Sequence, residues 1–196
     1  MQTLEFIEST MAVADVTPVP AVDLTRYAGL WYEIARYPNR FQAKCAGDVT
    51  AEYTLRTDGQ LTVVNRCART DGSEDLVQGV ARLADPKRST SKLQIRFAPA
   101  AFSWLPQVWG DYWIIGLAPD YGYAVVGEPT RGCLWILARG PKLAESDYKA
   151  AVAIAVANGY DPARLQPTLQ IERRRSLAPP AGMVEGLIGG DRRRKR

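Results

Sequence analysis

Between residues 49 and 56 apolar and polar side chains alternate without a break. Val49, Ala51, Tyr53 and Leu55 fall on one face, and Thr50, Glu52, Thr54 and Arg56 on the other. A period of two marks a strand with one buried face. Thr57-Asp58-Gly59-Gln60 follows, and Asp-Gly between alternating runs predicts a tight hairpin. The pattern returns over 61–67, with Leu61, Val63 and Asn65 inward, and over 76–84, where Asp85-Pro86 stops it. Residues 92–97 set Lys92, Gln94 and Arg96 against Leu93, Ile95 and Phe97. Further strands are expected at 111–117, 123–127 and 133–139, and an earlier one opens at Gly29 and turns Trp31 inward. Eight consecutive strands joined by short loops predict an all-β protein, an eight-stranded antiparallel up-and-down β-barrel. Periodicity does not report closure, so a two-layer sandwich stays open at this point.

The period changes after Pro141. Ser146-Asp147 supplies a start signal, residues 148–158 are rich in alanine, and Gly159 fits the stop position. Ala151, Ile154 and Ala155 form a narrow apolar stripe, so one C-terminal α-helix is expected to pack outside the sheet. Such a helix would explain strands that are apolar on both faces, through Tyr32 and Ile34 and through Trp113, Ile115 and Leu117.

Composition then narrows the chemistry. The 196 residues are 46% hydrophobic and 23% charged, which suits one ordinary globular domain. No apolar run approaches the roughly 18 residues that span a bilayer. The first 23 residues show no basic start followed by an apolar segment, and no cysteine near the start to accept a lipid anchor. There is no histidine, which removes serine-histidine triads, histidine bases and histidine metal ligands. No cysteine spacing suits zinc, and neither a metal nor a cofactor is expected. The formal charge of +4 is uneven: from Glu172 onward eight basic residues face three acidic ones, leaving the body near neutral. The expected plan is an N-terminal extension (1–21), one barrel domain (22–171) and a basic, disordered tail (172–196). Such a tail suits anionic lipid or nucleic acid, but the body has no basic, aromatic-interleaved stripe and no nucleic-acid partner is expected.

Several motifs stand in a recognisable order. Gly29-Leu30-Trp31-Tyr32-Glu33-Ile34-Ala35-Arg36, followed by Asn39-Arg40-Phe41, resembles the first signature of the lipocalins. Their bacterial outer-membrane and apolipoprotein D branches are the most similar. Val49-Thr50-Ala51-Glu52-Tyr53-Thr54-Leu55 with Asp58-Gly59 resembles the second and third strands of that group. Pro119-Asp120-Tyr121 stands where the family keeps Thr-Asp-Tyr, with the threonine lost. Leu134-Trp135-Ile136-Leu137-Ala138-Arg139 is similar to the third signature. The resemblance covers about 22–171. It implies a non-enzymatic carrier or store of small hydrophobic ligands such as fatty acids or lysophospholipids. It also implies a cell-envelope location, which the missing leader leaves in tension with a cytoplasmic one.

In that topology Gly29, Trp31 and Arg139 meet at the closed end, where a guanidinium over the indole would seal the barrel. Cys45 and Cys67 share the open rim and are expected to form a disulfide, while Cys133 is expected as a buried thiol. Tyr53, Leu55, Val63, Asn65, Val77, Leu93, Ile95, Phe97, Tyr112, Ile114 and Trp135 are the expected ligand-binding wall. Asn39, Arg40 and Lys44 would reach a polar head at the mouth. The loop 99–109 carries Phe102, Trp104, Leu105 and Trp109 and is expected at the same rim, as a membrane contact, a subunit interface or a lid. The protein is expected to be a monomer or a weak homodimer. The enzymatic alternative rests on Glu33 and Asp111, the only acids near the expected interior.

Overall fold

The computed structural model describes residues 15–171, so the basic tail and the first 14 residues lie outside the described region. A four-residue helix, α1 (Leu24–Tyr27), precedes eight strands: β1 (Gly29–Arg36), β2 (Cys45–Leu55), β3 (Leu61–Arg69), β4 (Glu74–Leu83), β5 (Lys92–Arg96), β6 (Gly110–Leu117), β7 (Tyr123–Gly127) and β8 (Leu134–Ala138). Helix α2 (Glu145–Ala157) and a two-residue strand, β9 (Gln166–Pro167), complete the chain. Each strand pairs antiparallel with the next, β8 pairs with β1, and β1 returns to β2 with Trp31 opposite Ala51. That last pairing closes the ring, so the sheet is a barrel and not a sandwich.

Two cores share the wall. The inner one gathers Tyr27, Trp31, Tyr53, Leu61, Val63 and Leu93 among others. The outer one places Ala151 and Ala155 of α2 against Ile115, Val125 and Ile136. Small residues on the helix let it lie close: a Cβ at Gly116 would meet Ile154 Cγ2 at 2.9 Å. The helix begins at Glu145, one residue before the expected start, and Ala144 takes the cap position without a side-chain bond. Gly159 is left-handed, as its stop position requires (φ 79°).

Three expectations change. A register shift between Ile114 and Gly116 alters the phase of β6, so Leu117 packs on the inner core and only Trp113 and Ile115 face the helix. Tyr32 is not under the helix either; it lines an open outer groove with Leu30, Glu52 and Arg66. Residues 16–21, expected in an extension, pack against the barrel. Val16 is buried in the helix core, Val19 N–H donates to Ile114 O (2.9 Å), and Ser91 Oγ donates to Val19 O (2.6 Å).

The ring is not closed by β1 and β2 along their whole length. They pair only over Gly29–Tyr32, and above this the C-terminal segment fills the gap. β9 pairs with Ala35 and Arg36, Thr168 N–H donates to Ile34 O, and Asp48 N–H donates to Leu169 O. The Gln170 side-chain amide then bridges Glu33 O and Val49 O, both at 2.8 Å. Gly47 permits this approach, since a Cβ there would lie 2.6 Å from Leu169 O.

Candidate ligand-binding site

At the closed end α1 acts as a plug. Asp23 caps it, accepting from Thr25 N–H at 2.8 Å, and the helix delivers Tyr27 into the barrel with no exposed surface. Trp31 is equally buried and donates its indole N–H to Tyr27 O (2.8 Å). The Arg139 guanidinium lies 3.8 Å from the Trp31 ring centroid. Its nitrogens donate to Leu30 O (3.1 Å), Arg26 O (2.6 Å) and Tyr27 O (3.1 Å). One charged side chain therefore satisfies the carbonyls that end α1 and begin β1. Gly29 adopts φ +98°, and a Cβ there would already touch Arg139 Nη1 at 3.4 Å.

Above the floor lies a cluster of three phenols. Tyr112 Oη is 2.8 Å from Tyr27 Oη and 2.8 Å from Tyr53 Oη. Burial, the largest cause in each case, raises all three above the usual tyrosine value, Tyr53 to about 12, so they are neutral at physiological pH. Val63, Leu93 and Ile114 pack around them with almost no exposed surface, and Leu55 sits apart, exposed beside the closed-end hairpin. The lower half of the barrel is thus filled with side chains.

The upper half differs. Asn65, Ile95 and Trp135 are only partly buried, and Val77 and Phe97 are 42% and 41% exposed on the inner face at the mouth. Gly79 makes room for this wall, because a Cβ there would lie 2.6 Å from the Phe97 ring. Trp135 is held by Gln42, whose Oε1 accepts from the indole N–H at 3.0 Å. Gln42 Nε2 in turn donates to Glu33 Oε2 (2.6 Å), while Glu33 Oε1 accepts from Arg36 Nη1 (2.6 Å) and from Thr168 Oγ1. Both oxygens of the candidate base are thus engaged in holding the first loop and the C-terminal segment. Asp111 pairs with Gln94 in register, on the face opposite to Tyr112.

The rim combines a staple with exposed apolar side chains. Cys45 and Cys67 are joined, with Cα atoms 5.5 Å apart. Cys133 is half-buried, and burial raises its thiol above the usual value. Asn39 is used within its own loop, capping the turn Arg40–Gln42, and Arg40 stacks on Phe41. Phe41 is 72% exposed and Trp104 75%. Trp109 folds back onto the outer wall and not over the mouth. There it lies 3.8 Å from the Arg82 guanidinium and 5.3 Å from that of Arg96, with its indole N–H on Ser103 O (2.8 Å). The loop is thereby braced with Phe102 and Trp104 facing water.

Sequence reasoning missed Tyr27, Gln42 and the segment 166–171. The Asp23 cap before an apolar turn was the available signal for Tyr27. Nothing local marks the other two, whose partners lie far along the chain.

The barrel is thus plugged at one end, with partly exposed side chains on its inner face at the other. A family model described as Lipocalin-like domain matches residues 22–170. The chain is 41% identical over 152 residues to temperature-induced lipocalin-1 of Arabidopsis thaliana, covering 78% of this chain and 81% of that protein. It is 36% identical over 148 residues to outer membrane lipoprotein Blc of Escherichia coli K12, covering 74% and 78%. Insecticyanin from the tobacco hornworm Manduca sexta shares the fold, with a TM-score of 0.62 at 20% identity over 82% of this chain and 87% of that one. The chain belongs to the lipocalins, a family that generally binds small hydrophobic ligands.

Proposed function

We propose that the protein is a non-catalytic carrier or store of single-chain lipids, fatty acids or lysophospholipids, held in the upper half of the barrel. The observation that carries this reading is the partly exposed inner wall of Asn65, Val77, Ile95, Phe97 and Trp135 above a packed floor. Tyr53 and Tyr112 form the base of this space, and Val63, Leu93 and Ile114 support it from beneath. Leu55 stands too near the closed end to take part. An acyl chain transferred into such a wall gains about 0.8 kcal/mol per methylene. The head remains at the rim near Arg40 and Lys44. Gly29, Trp31 and Arg139 serve closure and touch no ligand.

The mouth also suits a membrane surface. Phe41 on one loop, and Phe102 and Trp104 on another, project at the open end, and neither loop (residues 37–47 and 97–110) contains a carboxylate. Arg82, exposed and stacked on Trp109, places a cation beneath the second loop, as an interfacial anchor would. A location at the cell envelope, like the outer membrane named for the Blc relative, fits this reading. The protein works as a monomer or weak dimer. The test is extraction and mass spectrometry of lipid from protein taken from its native cell, with native mass spectrometry after adding oleate. Bound acyl lipid is expected; an empty protein that ignores oleate refutes the reading.

A further inference from the structure

The phenol cluster contains more donors than its own bonds use. Three hydroxyls supply three protons, and the two contacts at 2.8 Å consume two of them. If Tyr27 donates to Tyr112 and Tyr112 to Tyr53, the Tyr53 proton is left over. If Tyr27 and Tyr53 both donate to Tyr112, the Tyr112 proton is left over. Every arrangement leaves one O–H without an acceptor among the described residues. Tyr112 retains 8% exposure, against 0% for Tyr27 and 4% for Tyr53.

A second uncommitted atom faces the same interior. Asn65 Oδ1 is buried and has no hydrogen-bond partner. Asn65 lies opposite Ala51, while Tyr53, two residues further on β2, lies opposite Val63. Tyr53 and Asn65 are therefore diagonal neighbours on one face of a ladder, with Cα atoms about 7–8 Å apart. An unmet donor and an unmet acceptor on one inner face match one chemical group, a neutral hydroxyl, which accepts one bond and donates another. A plain hydrocarbon would leave both unmet in an apolar interior, and a carboxylate could use only the donor.

We propose that the barrel favours an acyl ligand whose chain carries a hydroxyl group, received by the Tyr27–Tyr112–Tyr53 cluster and Asn65. This rests on the lipid-carrier reading above and names the class of chain within it. The phenols are neutral at working pH, as burial requires, and so serve as donors without adding charge beside the chain.

The test compares oleate with ricinoleate, its hydroxylated counterpart, by calorimetry on the full chain and on the Asn65→Leu and Asn65→Val variants. Wild type is expected to bind ricinoleate about tenfold more tightly, and each variant should narrow this to about threefold or less by weakening ricinoleate alone. Equal affinities in wild type, with oleate bound, overturn the proposal and leave the carrier reading intact. Binding of neither acid refutes the carrier reading itself. A preference that survives both substitutions overturns the assignment to these residues. Circular dichroism checks folding; should Asn65→Leu unfold, the smaller Asn65→Val decides alone, since each removes an unpaired buried oxygen and no existing side-chain bond.

Discussion

The two ends of the barrel use the same alternating strands to opposite effect. At the closed end Trp31, Tyr27, Leu61 and Val63 are almost wholly buried, and Arg139 donates to three separate carbonyls. At the open end Phe41, Val77, Phe97, Phe102 and Trp104 stand in contact with solvent, and Asn65 keeps an oxygen without a partner. Alternation decides which side chains point inward; their size and the plug beneath them decide whether the inside is filled. If the proposed function holds, stability is concentrated at one end and recognition at the other, so substitutions at each should separate the two properties.

Trp31→Ala should be the most damaging change. It empties the largest fully buried position and removes the ring beneath Arg139, at a cost of about 3–5 kcal/mol in chemical denaturation. A loss below about 1 kcal/mol would mean that the floor is not the stable end. The disulfide comes next, and belongs to the rim. It closes a loop with a sequence separation of 22, so replacing both cysteines by alanine should cost about 3 kcal/mol. The barrel should still hold its closed-end core, read from the near-ultraviolet signal of Trp31.

The phenols make the floor sensitive to alkali. Burial raises their values, so the folded state retains protons that the unfolded chain releases near pH 10. Their contribution is complete below about pH 10 and is lost as the pH rises through the raised folded values, about 12 for Tyr53. The melting temperature should fall through that window, and the fall should shrink in Tyr112→Phe; an unchanged slope in the variant would detach the effect from this cluster. The smallest effect on stability is expected from Trp104→Ser, within about 0.5 kcal/mol because the ring already faces water. The same change should weaken sedimentation with anionic vesicles at least severalfold, and unchanged sedimentation would remove that loop from membrane contact.

The closed end was largely legible in the sequence. Gly29 and Trp31 lie in a strand whose burial alternates, Arg139 directly follows β8, and the count of turns brings them together. Cys45 and Cys67 could be paired for the same reason. Leu117 could not be oriented, because the shift between Ile114 and Gly116 lies in the pairing and leaves no trace in composition. Tyr27 was hidden because four helical residues are too few to show a period. Leu55 shows a different limit: alternation assigned it an inward face but could not report that it stays 40% exposed while Leu61, opposite it across the hairpin, is buried. The uncommitted proton of the phenol cluster was likewise beyond reach, since it depends on distances among three residues far apart in the chain.

The seam between β1 and β2 has a consequence for how the protein is made. Residues 166–171 bridge the upper part of that seam, through Thr168, Leu169 and Gln170. A growing chain that has completed all eight strands still carries a slit, flanked by backbone groups awaiting their partners. Only the arrival of the last described residues stitches it shut. Bridging of the upper seam therefore waits on a segment made after all eight strands, and a chain cut before Thr168 would leave β1 and β2 unlinked there.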